Sequence, residues 1–234
     1  MLIIPAEWLG VRNPSKETRA QGIRKRLIDV AGASIGLLIL LPAFAFIAIA
    51  IKLDSRGSVF YAQERTGLNR RRRRGPGVRM PERRKDDQYG RPFYLYKFRS
   101  MVADAERATG PVWASAGDSR VTRVGKFLRR TRLDETPQLW NVLVGDMSLV
   151  GPRPERPSFV RLLTTSIPDY PRRCAALPGI TGLAQVKSRY DTSVESANRK
   201  LQYDLYYLKN GHLMLDLKIM ADTVKVMVRG DGAQ

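Results

Sequence analysis

Two residue types that carry much of enzyme chemistry are almost missing from this chain of 234 residues, which has one cysteine, Cys174, and one histidine, His212. A single cysteine excludes an intramolecular disulfide and any thiolate metal cluster, and it fits a reducing compartment. A single histidine excludes His-Cys zinc sites, two-histidine metalloprotease motifs and paired-histidine proton relays. Whatever chemistry exists must use carboxylates, Lys, Arg, hydroxyls or a hard metal ion. Acidic residues are also scarce, 22 against 41 Lys plus Arg, for a formal net charge of +19. That charge admits three partners: nucleic acid, an anionic membrane surface or a phosphorylated substrate. The hydrophobic fraction of 43% argues against wholesale disorder, and the length suits one compact domain, with or without an appendage.

Charge itself is missing between Asp29 and Lys52, where residues 30–51 read VAGASIGLLILLPAFAFIAIAI. As a straight helix this run is about 33 Å long, close to the hydrocarbon thickness of a bilayer. A membrane segment over residues 24–53 is therefore expected, ahead of a buried core helix or a cleaved signal peptide. Arg24, Lys25 and Arg26 precede it, and Lys52, Arg56 and Arg65 follow, so the positive-inside rule assigns both ends to the cytoplasm. Pro42 removes a backbone hydrogen bond near the middle, a usual cause of a sharp kink. A re-entrant helix that bends at Leu41-Pro42 is favoured over a spanning one.

Residues 1–23 form an N-terminal extension, 54–230 a catalytic-sized domain on the cytoplasmic face, and 231–234 a tail. Within the domain, residues 70–91 carry ten Lys or Arg against three acidic residues and no hydrophobic period. They read as a solvated basic loop insertion able to lie against anionic lipid. Residues 58–63 and 93–101 look like strands, and 102–108 could begin a helix. From Arg120, the residues Val121, Val124, Phe127 and Leu128 recur at helical spacing among Arg123, Lys126, Arg129 and Arg130. This basic amphipathic helix suits a membrane interface and a solvated core-covering position equally. A helix over 137–144 stopping at Gly145, a loop over 178–182, and helices over 193–209 and 213–228 follow. No internal repeat is present. The fold class is α+β and mainly helical, with the re-entrant helix, interfacial amphipathic helices and a small β-hairpin.

The stretch around Asp134-Glu135 is the most informative. Thr136 before Pro137 reads as an N-cap and first helical residue, leaving the two carboxylates outside a helix N-terminus among arginines that favour their ionised form. A surface salt-bridge cluster is the plain alternative. Arg153, flanked by Pro152 and Pro154, has a restricted backbone and a guanidinium suited to bidentate phosphate contact. Rigid arginines near a carboxylate pair suggest phosphate chemistry.

These residues resemble the monotopic phosphoglycosyl transferases, or bacterial sugar transferases, from Lys25 to about Gly230. The resemblance rests on Asp29 leading into the proline-containing apolar helix, Gln63-Glu64-Arg65, Tyr96-Lys97-Phe98-Arg99-Ser100-Met101, Leu133-Asp134-Glu135 and Gln138-Leu139. It continues through Asn141-Val142-Leu143, Gly145-Asp146-Met147-Ser148, Gly151-Pro152-Arg153-Pro154, Pro178-Gly179-Ile180-Thr181-Gly182 and Asp204 with Tyr206-Tyr207. It implies transfer of a sugar 1-phosphate from a UDP-sugar to a polyprenyl phosphate at the bacterial inner membrane, releasing UMP. Asp134 is implied as the nucleophile and as a ligand of Mg²⁺, with Glu135 orienting the metal or assisting deprotonation. Arg129 and Arg153 are implied as diphosphate contacts, with Lys97, Arg99 and Arg132 as further candidates. The partners implied are the UDP-sugar, the polyprenyl phosphate and inner-membrane lipids, with no nucleic acid and a homodimer left open. Two features depart from the family: Leu41 stands where Ser usually precedes the proline, and the basic insertion is unusually long. The competing reading is a basic, membrane-anchored protein that binds anionic lipid or nucleic acid without catalysis.

Overall fold

A computed structural model describes residues 19–69, 89–105, 118–188 and 193–229. Most of the basic insertion and both chain ends therefore lie outside the described residues. The elements run α1 (Arg19–Asp54), β1 (Phe60–Thr66), β2 (Pro92–Phe98), α2 (Arg123–Thr131), a 3₁₀ turn (Leu133–Glu135), α3 (Gln138–Val144), β3 (Ser148–Val150) and α4 (Pro157–Ser166). A second 3₁₀ segment (Tyr170–Ala175), β4 (Gly179–Thr181), α5 (Leu183–Lys187), α6 (Val194–Asn210) and α7 (Leu213–Arg229) complete the order.

The apolar run forms one helix that continues through Pro42. By length and composition it is able to cross a membrane, with a mean hydropathy of 2.6, and only 11% of its apolar window is buried. That exposure removes the core-helix alternative. The inward residues of α1 recur at helical spacing: Asp29, Ala33 and Ile51 are buried, and Phe44 and Ile47 pack beside Ile51. Between them α1 approaches α3 closely, since a Cβ on Gly36 would stand 3.0 Å from Leu139.

Polar side chains fasten both ends of α1 to the domain. At the first end, Lys25 Nζ donates to Asp216 (2.6 Å), Tyr207 and the Val150 carbonyl, and Arg26 caps the last carbonyls of α3 at Val142 and Leu143. Asp29 accepts hydrogen bonds from the Ser148 hydroxyl (3.0 Å) and the Leu149 N–H (2.9 Å). Two of the three basic residues read as a membrane-facing flank thus point into the domain, and Arg24 is the exposed one. At the other end, Arg99 is buried and donates to the carbonyls of Arg56 (2.6 Å), Ser55 (2.7 Å) and Ile51 (3.4 Å). Gly57 at φ +124° admits this guanidinium, because a Cβ there would lie 2.1 Å from Arg99 Nη1. Asp54 accepts from the Val124 N–H at the start of α2.

β1 and β2 form an antiparallel hairpin with Phe60 opposite Phe98 and Tyr61 opposite Lys97, and the basic insertion leaves from its tip. The free edge of β2 is covered by α3. Buried Asn141 imitates a strand there, accepting from Tyr96 N–H (3.1 Å) and donating to the Tyr94 carbonyl (2.7 Å). β3 and β4 pair in parallel, Ser148 with Gly179 and Val150 with Thr181.

Several boundaries differ from the sequence expectation. Residues 103–105 form a turn where a helix is expected to begin over 102–108, and the remainder of that stretch lies outside the described residues. Residues 179–181, read as loop, form β4 because β3 supplies a pairing partner 31 residues upstream that no local pattern discloses. Thr136 is not an N-cap: it is helical at φ −61°, ψ −29°, and its hydroxyl donates to the Leu133 carbonyl, so the 3₁₀ turn runs directly into α3. Phe127, grouped with the apolar face of α2, is exposed beside Arg123, Lys126 and Arg130, while Leu128 and Gly125 face inward.

Replacing Arg99 with methionine leaves the Ser55 and Arg56 carbonyls without their donor. It is expected to destabilise the protein by about 2–3 kcal/mol. Denaturant unfolding in detergent measures this, and a change under 0.5 kcal/mol would show that the end of α1 is held by apolar packing alone.

Candidate active site

The 3₁₀ turn that carries Asp134 and Glu135 starts at Arg132, a non-glycine residue at φ +58° that also ends α2. This left-handed turn swings the chain so that both carboxylates are buried, Asp134 at 7% and Glu135 at 9% exposure. A surface salt-bridge cluster is thereby excluded.

The two acids have different surroundings. Glu135 Oε1 accepts from Lys97 Nζ at 2.8 Å and from Arg153 Nη2 at 2.7 Å, and Arg153 Nη1 lies 3.5 Å from Oε2. Burial alone would raise the Glu135 carboxyl, but Arg153 and Lys97 together hold it well below the usual carboxylate range. Asp134 shifts in the opposite direction. Burial pushes its carboxyl up, the Glu135 charge adds to the rise, and Lys97, Arg129 and Arg153 pull against it. Among the described residues no hydrogen bond reaches the Asp134 carboxylate, so its lone pairs stay available. Burial correspondingly lowers the Lys97 ammonium, against the pull of Glu135.

Lys97 and Arg153 thus meet on Glu135, and Arg129 contributes its charge to Asp134 while its Nε donates to the Ser100 hydroxyl at 3.0 Å. Arg132 shapes the turn. Arg99 lies elsewhere: its guanidinium is engaged by the end of α1, which removes it from the phosphate candidates. One residue along β2 separates the two cations, and the strand carries Lys97 to the site and Arg99 to the membrane helix.

A buried frame that sequence reasoning left without a role holds Arg153 in place. Arg173 donates to the Arg153 carbonyl (3.0 Å) and pairs with Asp204, itself 1% exposed. Arg65 Nη1 donates to the Pro154 carbonyl (2.9 Å), the Gly179 N–H to the Pro152 carbonyl, and the Thr66 N–H to the Glu155 carbonyl. Four successive carbonyls are therefore engaged, which preorganises the loop beyond what two prolines achieve. Asp204 stood in a recognised motif, but the support that Arg173 gives to Arg153 carried no local signal, since Arg153 and Asp204 lie 20 and 31 residues away from it and only Tyr170 is a near neighbour in sequence.

The donor set also bears on a metal ion. Among the described residues no group of three or more His, Cys, Asp or Glu side chains converges. The described residues form no cage of protein ligands alone, but one free carboxylate beside two phosphate-suited cations fits Mg²⁺, which commonly takes one or two carboxylates plus substrate phosphates.

The profile of the bacterial sugar transferase family matches residues 20–230. The chain belongs to that family. Among sugar transferases of known designation, it is 40% identical over 210 residues to the UDP-N-acetylgalactosamine-undecaprenyl-phosphate N-acetylgalactosaminephosphotransferase of Aeromonas hydrophila. That alignment takes in 90% of this chain and 45% of the relative, so the chain spans under half of that protein's length. It is 39% identical to the UDP-glucose:undecaprenyl-phosphate glucose-1-phosphate transferase of Caulobacter vibrioides, over 92% of this chain and 73% of the relative. The exopolysaccharide production protein PSS of Rhizobium leguminosarum bv. phaseoli is 37% identical over 90% of this chain and 98% of its own length. The region that matches the family, residues 20–230, takes in the carboxylate pair, the Arg153 loop and all but the first residue of α1.

The opposite shifts make a pH prediction. Burial raises the Asp134 carboxyl, which therefore holds a proton to higher pH than an ordinary aspartate. Its carboxyl resonance should accordingly titrate at a higher pH than an unperturbed Asp would give. In Glu135→Gln the neighbouring negative charge is gone and Lys97 loses its partner, so the Asp134 titration moves to lower pH. Carboxyl ¹³C NMR of Asp134 reads this, and a titration that stays or rises would refute the coupling.

Proposed function

We propose that this chain transfers a sugar 1-phosphate from a UDP-sugar to a polyprenyl phosphate, releasing UMP, through an aspartyl phosphosugar on Asp134. The observation that carries this reading is the division within the acid pair: one buried carboxylate without hydrogen bonds among the described residues stands beside another that gathers a lysine and a rigid arginine. In the first step an Asp134 oxygen bonds to the sugar-side phosphorus. The bond from that phosphorus to the bridging oxygen breaks, and UMP leaves with the electron pair. In the second step a polyprenyl phosphate oxygen bonds to the same phosphorus, the bond to Asp134 breaks, and the carboxylate is restored as polyprenyl-diphosphate-sugar departs. Two displacements let two bulky substrates use one site in turn.

Lys97, Arg153 and Arg129 neutralise the diphosphate, which draws the first two from Glu135 as it enters. Glu135 serves as the anion that keeps them aimed while the site is free. Mg²⁺ would be held by the second Asp134 oxygen and by substrate phosphates, and would supply charge neutralisation on the leaving UMP. The donor and acceptor classes are supported by the names of the relatives.

We read α1 as a helix that enters and leaves the same cytoplasmic leaflet of the inner membrane. Support comes from its fastening: a straight crossing would carry Lys25 and Arg56 to opposite sides, yet one polar domain binds both ends. The outward face of α2, with Phe127 among Arg123, Lys126 and Arg130, suits the adjoining interface, as do exposed Trp140 and Val144 on α3. The site then opens where a lipid-borne phosphate arrives.

Membranes containing the protein should release UMP from UDP-glucose or UDP-N-acetylgalactosamine when Mg²⁺ and polyprenyl phosphate are present. Asp134→Asn should reduce release by at least about 10³-fold, and normal turnover by that variant would sink the nucleophile assignment. Cysteines placed before Arg24 and after Lys52 should be labelled from the same side of the membrane; labelling from opposite sides refutes the re-entrant helix.

A further inference from the structure

Gln138 is the first residue of α3, 2% exposed, and its amide Nε2 is fully buried with no hydrogen-bond partner among the described residues. A buried donor left unpaired is costly, and native proteins carry few of them. The position in the fold sharpens the anomaly. From Leu133 the backbone is helical without a break through Thr136 and Pro137, and bonds from Leu139 N–H to the Thr136 carbonyl and from Trp140 N–H to the Pro137 carbonyl tighten it to three residues per turn. At that winding Glu135, Gln138 and Asn141 fall in one row. The outer two members are fully engaged with β2: Glu135 with Lys97, and Asn141 with Tyr94 and Tyr96. The middle one has a donor and, among the described residues, no acceptor for it.

Packing does not require an amide there. A side chain of the same length without polar atoms would fill the space and remove the desolvation cost, so a purely structural position would favour methionine or leucine. We infer that Gln138 is a substrate-contacting donor whose acceptor arrives with the nucleotide sugar, namely a non-bridging oxygen of the phosphoryl group as it moves onto Asp134. The inference rests on the phosphotransfer reading above. A donor fixed by α3 and already stripped of water interacts more strongly with charge that builds on that oxygen than one shared with solvent. It acts on the group being transferred and not on the rest of the donor substrate, so its loss should appear in kcat more than in KM.

The test is Gln138→Met, with Gln138→Leu as a second variant, in the full chain purified in detergent with Mg²⁺ and polyprenyl phosphate. Thermal unfolding and UMP release from UDP-glucose and UDP-N-acetylgalactosamine are measured side by side. Both variants should unfold at the wild-type temperature or above it. Their kcat should fall about 10- to 100-fold, with KM for the nucleotide sugar changed by less than about threefold. Wild-type turnover in a variant of equal or higher stability would overturn the inference and leave the amide as an unrewarded burden. Stability and turnover lost together would overturn it as well, because the amide would then serve the fold. A wild-type protein that releases no UMP from either donor would instead sink the phosphotransfer reading itself, and this inference with it.

Discussion

The fastening of α1 at both ends to a single domain is the constraint on which the other elements depend. An apolar helix of this length has no intrinsic reason to lie along a polar domain, and lipid would solvate it equally well on all sides. What holds it is a set of specific polar contacts: Lys25 on Asp216 and Tyr207, Arg26 on the end of α3, Asp29 on β3, Arg99 on the Ser55 and Arg56 carbonyls just beyond α1, and Asp54 on the start of α2. Each satisfies helix-end or strand-end groups that would otherwise be buried unpaired. The apolar packing of Ala33 and Ile51 follows from that placement.

The same contacts set the geometry of the site. β2 presents Lys97 to Glu135 and, two residues later, Arg99 to α1, so a short strand ties the membrane helix to the carboxylate pair. α3 is gripped at its end by Arg26 and along its length by Asn141 on β2, which places the preceding 3₁₀ turn against Lys97. On the far side the Arg173 and Asp204 pair holds the Arg153 loop. A buried ion pair of this kind contributes little net stability, since desolvation offsets attraction, but it fixes where the neighbouring carbonyl stands.

Within the site, adjacency in sequence conceals an electrostatic contrast. Asp134 and Glu135 share a turn and a similar burial, yet one is held firmly ionised by two cations and the other is pushed toward its protonated form. Neighbouring carboxylates whose environments drive them apart are a recurrent way of assigning two tasks to one residue class. Glu135 keeps Lys97 and Arg153 aligned, and Asp134 keeps its lone pairs open.

The sequence by itself determined the elements whose signal is local or compositional. The membrane helix is written in 22 consecutive uncharged residues, the hairpin in two alternating runs, and the long helices α6 and α7 in their apolar periods. The carboxylate pair and Arg153 were legible as a motif, because proline and charge clustering mark rigid polar turns. Only the tertiary structure decided how those charges are shared: that Arg99 caps a helix while Lys97 serves the site, that Lys25 and Arg26 point inward, and that Arg173 supports Arg153. The reason is physical. A hydrophobic pattern is averaged over many residues and survives in one dimension, whereas a hydrogen bond or an ion pair depends on two atoms within about 3 Å whose residues are often a hundred or more positions apart.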